Sequence, residues 1–314
     1  MKAIRFHLFQ EDIVRRLLLG CLVALLVVAC VQSAVAGSLI GYRWSGSTEE
    51  IVSIDPNTGS SSVIATLGLM WVQGVFTVNS AEHKAYLFAT RDGLNYEIDT
   101  IDLITGNFRT VPIVGMEHGG FGFAAYGKND LIAYRWNGSN EELISIDPRT
   151  GAFDVITAVD LDWVLSPGPI AVDPAHKKAY LYGQKDGETF WRIYTVDLKT
   201  RTVTSVPMTE AGGGGFGFDF YEKDTLVGYR WNGMEEEIIS IDARTGATSV
   251  IAKPDLLWVQ GVFAVNSAEH KAYLHGSRDG ISWSIYAIDL KTGEVSSVPI
   301  DIGQGGFCFD TYAN

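Results

Sequence analysis

The sequence predicts an all-β protein, a closed six-bladed β-propeller built from four-stranded antiparallel blades. Three observations carry that expectation. A turn motif returns six times at a near-constant interval, alternating apolar residues flank its copies, and the two chain ends match complementary parts of one repeat. The chain has 314 residues, 46% of them hydrophobic, which is enough for a large core.

The turn motif reads Ile-Asp-Pro-Asn-Thr-Gly at 54–59, Ile-Asp-Leu-Ile-Thr-Gly at 101–106 and Ile-Asp-Pro-Arg-Thr-Gly at 146–151. It returns as Val-Asp-Leu-Lys-Thr-Arg at 196–201, Ile-Asp-Ala-Arg-Thr-Gly at 241–246 and Ile-Asp-Leu-Lys-Thr-Gly at 288–293. Successive Asp residues are 47, 45, 50, 45 and 47 positions apart. The Asp carboxylate can accept backbone N–H groups two and three residues on. The closing Gly supplies a left-handed residue. Each copy therefore reads as a hairpin turn. Arg201 stands where the other copies have Gly, so that turn should be strained or of another type.

Between turns, each unit supplies four short strands. In the fourth unit they fall at 169–172, 179–183, 191–196 and 203–207. Four antiparallel strands per repeat of this length define a propeller blade. The segment after the leader, Ser38 to Trp44, matches a second strand, and Gly305 to Asp310 matches a first strand. The C-terminal strand should therefore complete the blade that the N-terminal segment begins, which removes the exposed sheet edges. A coarser repeat overlies this one. Odd blades carry Tyr-Arg-Trp and even blades carry Trp-Val-Gln-Gly or a relative, so the ring consists of three double blades of about 93 residues.

Short blades with these Ile-Asp-x-x-Thr-Gly turns resemble the TolB-like and quinoprotein-like group of bacterial extracytoplasmic β-propellers, over residues 38–314. The resemblance implies the fold and little about function, because the motif serves the turn. The Trp that follows the Gly in quinoprotein blades is missing here, which argues against a quinone; no cofactor is expected.

Residues 1–36 read as an export signal. Lys2, Arg5, Arg15 and Arg16 form a basic start, an apolar run spans Leu17 to Val31, and Ala34-Val35-Ala36 offers a cleavage site. The run of 15 residues is short of the roughly 20 that span a bilayer. Two alternatives stay open: an uncleaved anchor, and lipid attachment at Cys30 after Val27-Val28-Ala29. The propeller domain is then 37–314, in an exported, periplasmic or extracellular protein. Removing the leader takes four basic and two acidic residues with it, leaving 20 against 35 and a net charge of −15. That excludes nucleic acid or an anionic membrane surface as a partner. One Cys remains, Cys308, so no intrachain disulfide forms.

Function-bearing residues fall on one loop face, where second strands lead into third strands and fourth strands into the next first strands. The Tyr-Arg-Trp segments point Arg43, Trp44, Arg135, Trp136, Arg230 and Trp231 toward it, and Glu-Glu pairs follow at 49–50, 141–142 and 236–237. Pairing Trp44 with Glu49 across the hairpin would pair Arg43 with Glu50, and likewise Arg135 with Glu142 and Arg230 with Glu237. One reading is three cross-strand ion pairs between blades. The other is three polar-aromatic pockets for a glycan or protein partner. Trp71, Trp163 and Trp258 join the same face ahead of even-blade first strands.

Other motifs read as structure. Arg91-Asp92-Gly93, Lys185-Asp186-Gly187 and Arg278-Asp279-Gly280 are tight hairpins. Gly119-Gly120-Phe121-Gly122-Phe123 and its relatives at 212–218 and 305–309 lack the Lys of a phosphate loop, and they read as close packing near the axis. Cys308 takes the small position there as a buried apolar residue. His83, His176 and His270 lie in different blades on the opposite face, too far apart for a metal site. The leading functional reading is a non-enzymatic binding or scaffold propeller. Its alternative is an exported hydrolase or lyase acting on a polysaccharide with carboxylates near the central channel, such as Asp219 and Asp310.

Overall fold

A computed structural model describes residues 37–68, 71–92, 95–113, 121–161, 163–164, 170–185, 187–208, 216–259, 263–300 and 307–312. These residues form six antiparallel sheets. Blade 1 runs from its inner strand Phe307–Tyr312 outward through Ser38–Trp44, Glu49–Ile54 and Ser61–Thr66. The chain therefore closes as the sequence predicts: Ser38 to Arg43 pair residue by residue with Tyr312 to Phe307. Blade 2 comprises Trp71–Asn79, Lys84–Thr90, Tyr96–Asp102 and Phe108–Pro112, and blade 3 comprises Phe121–Tyr126, Asp130–Trp136, Glu141–Ile146 and Phe153–Val159. Blade 5 comprises Phe216–Glu222, Thr225–Trp231, Glu236–Asp242 and Thr248–Ala252.

In blades 4 and 6 the inner strand comes in two pieces, Trp163–Val164 with Ile170–Asp173, and Trp258–Val259 with Ala264–Asn266. The outer three strands are Lys178–Gln184, Arg192–Asp197 and Val203–Pro207 in blade 4, and Lys271–Ser277, Trp283–Asp289 and Val295–Pro299 in blade 6. Blade 2 has the same irregularity as a register shift between Val72 and Phe76. The three even-blade tryptophans thus begin inner strands rather than precede them. They pair with Thr90, Gln184 and Ser277 of the second strands.

Inner strands contact their neighbours in ring order, blade 1 through blade 6 and back to blade 1. The core is distributed around that ring. Each of six apolar clusters joins the facing sides of two adjacent blades. One packs Ile40, Tyr42 and Ile51 of blade 1 against Phe76, Ala85 and Leu87 of blade 2. Another packs Tyr273 and Ile285 of blade 6 against Leu39 and Val52 of blade 1. Strand alternation explains the division: successive side chains of one strand serve opposite neighbours. Fully buried tyrosines such as Tyr134 and Tyr180 anchor these interfaces.

The turn motif behaves as its chemistry requires. Asp102 Oδ1 accepts from Ile104 N at 3.0 Å and Thr105 N at 2.8 Å, and Asp197 and Asp289 do the same. Gly59, Gly106, Gly151, Gly246 and Gly293 all have φ of 72–74°. Arg201 keeps the same turn in the same left-handed region, with φ of 62° and its N–H on the Asp197 carbonyl at 2.7 Å. The turn is therefore strained rather than of another type. The glycines meet a second demand that the sequence left unread. A Cβ at Gly246 would lie 2.0 Å from the Pro207 carbonyl oxygen, and at Gly59 2.1 Å from that of Pro299. Each of the five glycine turns is pressed against the outer strand of the preceding blade.

Candidate functional site

The Tyr-Arg-Trp segments end second strands and the Glu-Glu pairs open third strands, so strand register decides which groups meet. Arg43 is opposite Glu50 and Trp44 opposite Glu49, and the same register holds in blades 3 and 5. The three expected ion pairs form. Arg43 Nε donates to Glu50 Oε2 at 3.0 Å, Arg135 Nε to Glu142 Oε2 at 3.1 Å, and Arg230 Nε to Glu237 Oε2 at 3.0 Å. Further neighbours hold each pair. Arg43 also reaches Ser61 Oγ, Arg230 reaches Thr248 Oγ1, and the Arg135 guanidinium lies 4.2 Å from the centre of the Phe153 ring. Asn137 and Asn232 donate to the second oxygens of Glu142 and Glu237. The pairs differ in depth. The Arg43–Glu50 side chains are 21% and 17% exposed, whereas those of Arg230–Glu237 are both 6% exposed.

The pleat separates these pairs from their tryptophans. Arg43 and Glu50 share the sheet side of Leu39, which faces blade 6, while Trp44 shares the side of Tyr42, which faces blade 2. Each Arg–Trp–Glu set is therefore split between two interfaces. The Trp meets the first Glu of the pair, not the second.

Those first glutamates, Glu49, Glu141 and Glu236, are the residues that sequence reasoning missed. They are 6–7% exposed, and the Oε2 atom of each is buried with no hydrogen-bond partner. Burial pushes each carboxyl up to about 7. Glu237 next door behaves oppositely. Burial opposes its charge too, but hydrogen bonds from Asn232 and Arg230 overcome it and hold the carboxyl below its ordinary value. The signal was present in the sequence as a second acidic residue in all three copies, on the core-facing phase of the strand.

Trp258 stands 60% exposed on the loop face, with its indole edge 3.5 Å from where a Cβ on Gly280 would lie. The side chains of Trp71 and Trp163 lie outside the described residues. Other large apolar side chains are exposed on this face: Met234 and Ile281 at 83% each, Leu257 at 54%, and Phe190. Met234 occupies the position that Ser47 and Ser139 hold in the other two copies. In the blade 6 hairpin, Asp279 accepts from Ile281 N at 2.8 Å and Ser282 N at 2.7 Å, which fixes the tip. Arg91 pairs with Glu97 and with the fully buried Asp99.

The carboxylates near the axis are tied to backbone. Asp310 of blade 1 accepts from Val78 N at 2.8 Å and Thr77 Oγ1 at 3.2 Å in blade 2. Asp219 of blade 5 accepts from Val265 N at 3.0 Å in blade 6. Ala124 takes the equivalent place in blade 3. Burial raises both carboxyls, and the charge of Asp310 adds to the effect on Asp219. Cys308 is buried in the blade 1–2 cluster beside Tyr42. Its counterpart Gly217 shows why the position is small: a Cβ there would lie 2.5 Å from the Tyr229 ring. Gly119, Gly120, Gly212 to Gly215, Gly305 and Gly306 lie outside the described residues. On the opposite face His83 and His270 bond the inner-strand hydroxyls of Tyr312 and Tyr221, the latter at 2.7 Å, and His176 bonds Asp173. Among the described residues no group of three His, Cys, Asp or Glu could hold a metal ion, and no helix is long and apolar enough to cross a membrane.

No protein-family model and no curated protein matches this chain. Solved structures do. A chain of a nidogen/laminin complex superposes with a TM-score of 0.62 at 10% identity, over 88% of this chain and 98% of that one. TolB from Agrobacterium tumefaciens gives 0.60 at 12% identity, over 86% and 91%. TolB from Acinetobacter baumannii gives 0.51 at 14% identity, over 82% and 67%. At the level of fold, this chain is a TolB-like six-bladed β-propeller.

Proposed function

We propose that this protein is an exported binding or scaffold propeller that engages a partner protein through the loop face carrying the Tyr-Arg-Trp segments. One observation carries the choice of a protein over a glycan. The polar groups suited to sugar hydroxyls, Arg43, Arg135 and Arg230 with Glu50, Glu142 and Glu237, are spent on one another. Large apolar side chains, by contrast, stand exposed on the same face. The chain from a nidogen/laminin complex supports the reading by analogy of fold. The leader at 1–36 supports export. The hydrolase alternative rests on the raised carboxyls of Asp219 and Asp310, but both already accept backbone hydrogen bonds that join inner strands.

A photoreactive amino acid placed in cells at Ser47, Ser139 or Met234 on the loop face, or at Asn129 or Lys177 on the opposite face, tests this. Cross-links to a partner are expected from the first group only. Cross-links mainly from Asn129 and Lys177 would refute the choice of face. Cleavage of a polysaccharide panel, abolished in Asp219→Asn, would establish the hydrolase instead.

A further inference from the structure

The three double blades are not equal at their rims. At the junction of blades 5 and 6, the loop 253–257 runs from one hairpin tip to the next. At its start, Lys253 Nζ lies 2.5 Å from Glu235 and 3.5 Å from Glu237. Just past its end, Trp258 packs on the Gly280 turn. Met234 and Ile281 stand on the two tips, Leu257 ends the loop between them and Trp258 begins the next inner strand, all four more than half exposed. Each of the four leaves apolar surface open on this rim, and large apolar side chains gathered on one face mark interaction sites. In the blade 3–4 copy the matching positions are Ser139, Glu188 and Asp162, with Trp163 alone retained, while the sequence of the blade 1–2 copy keeps Leu94, Met70 and Trp71 and differs in having Ser47 at the tip position of Met234.

Below this rim sits Glu236, more than nine-tenths buried, with Oε2 unpartnered. It lies two residues behind Met234, on the side of the blade 5 sheet that faces blade 6. The basic groups nearby are committed elsewhere. Arg230 is held by Glu237, Lys253 by Glu235 and Glu237, and Arg278 lies over the Tyr286 ring and donates to the Pro254 carbonyl. The local acidic excess matches the net charge of −13 for the whole chain.

Building on the loop-face reading above, we infer that the blade 5–6 junction is the docking point. Its occupant is a partner-protein segment whose apolar side chains cover Met234, Leu257, Trp258 and Ile281 and whose neighbouring lysine or arginine pairs with Glu236. Charge complementarity selects this occupant. An acidic segment would repel the Glu236 carboxylate and a neutral one would leave its charge unbalanced, whereas a basic one supplies both a donor and the opposite charge.

The probe is an array of synthetic 12-residue peptides in which a pair of Leu, Phe or Trp residues is flanked by Lys, Arg, Gln or Glu. The full chain is applied in labelled form. Retention is expected to be at least tenfold higher on Lys and Arg peptides than on Gln peptides. The double substitution Met234→Ser with Ile281→Ser should abolish it; both side chains are exposed, so the fold is kept. Glu236→Gln should remove the preference for basic over Gln peptides, while Glu141→Gln, at the equivalent place in blade 3, leaves it intact. Equal retention on Gln and basic peptides overturns the proposal, and so does retention indifferent to these substitutions. Sedimentation showing a dimer that the double substitution disperses would make the occupant a second copy and overturn it too. Cross-linking from Ser47 or Ser139 alone would keep the loop-face reading and reject only the blade 5–6 placement.

Discussion

Replacing the three buried glutamates one at a time by Gln should convert a pH-dependent stability into a flatter one. The carboxyls of Glu49, Glu141 and Glu236 ordinarily titrate at 4.5, and burial raises each to about 7 in the folded chain. A carboxyl raised in this way favours the folded state below its unfolded value. That contribution is lost as pH climbs from 4.5 through 7, because the folded protein must then hold a charge that water would solvate better. The displacement sets an upper bound on the order of 3 kcal/mol per site, which solvent screening reduces to roughly 1–2 kcal/mol. The sites lie in three separate interfaces, so their effects should add to within a few tenths of a kcal/mol. The comparison to make is the stability of Glu236→Gln minus that of the parent, measured at pH 5 and again at pH 8.5. Any cost of the amide itself is the same at both pH values and cancels in the difference. The variant should gain roughly 1–2 kcal/mol on its parent over this range, or about 3–5 °C in melting temperature. Thermal scans by circular dichroism in buffers of matched ionic strength would read it. If the difference between variant and parent is the same at both pH values, Glu236 has found a donor and the claim of an uncompensated carboxyl is refuted.

Removal of the guanidinium should cost in proportion to depth. Arg230→Met leaves Glu237 buried without its main partner and should cost about 3–5 kcal/mol in urea unfolding, whereas Arg43→Met should cost about 1 kcal/mol. Similar costs at both sites would show that depth does not set their worth. Gly246→Ala should cost more than about 2 kcal/mol, since the new Cβ meets both a left-handed backbone and the Pro207 carbonyl. A neutral result in calorimetry would mean that the turn is not pressed on blade 4. Deleting residues 305–314 removes the inner strand of blade 1 and exposes the edge of Ser38–Trp44. Loss of the cooperative melt is expected, and an unchanged melt would contradict closure.

Repetition made the fold legible. One copy of Ile-Asp-x-x-Thr-Gly is a turn like many others, but six at a steady interval specify a ring, and the mismatched ends specify how it shuts. Pairing was legible for the same reason: fixing Trp44 opposite Glu49 determines every partner in that hairpin. What stayed hidden depends on which side of a sheet meets which neighbour. Arg43 and Trp44 are adjacent in sequence, yet they serve different blade interfaces. A kit of residues gathered from a linear motif therefore overstates what meets in space. The glycine close to Pro207 was hidden likewise, because its reason lies in another blade about forty residues away in sequence.

The split also explains how a threefold scaffold can carry a single specialised contact. Arg–Glu pairs occupy the interfaces on one side of each odd blade, where their groups are satisfied and free to be identical. The unsatisfied carboxyls occupy the interfaces on the other side, beneath the hairpin tips. A buried carboxylate oxygen without a donor penalises the charged form, and it does so at three places. Two of those tips carry Ser47 and Ser139, while the third carries the exposed Met234. A basic partner segment covering that third rim would supply the missing donor at one site. Binding there would therefore raise the stability of the blade 5–6 junction in particular, and hydrogen exchange at Glu236–Asp242 should slow on binding while exchange at Glu141–Ile146 does not.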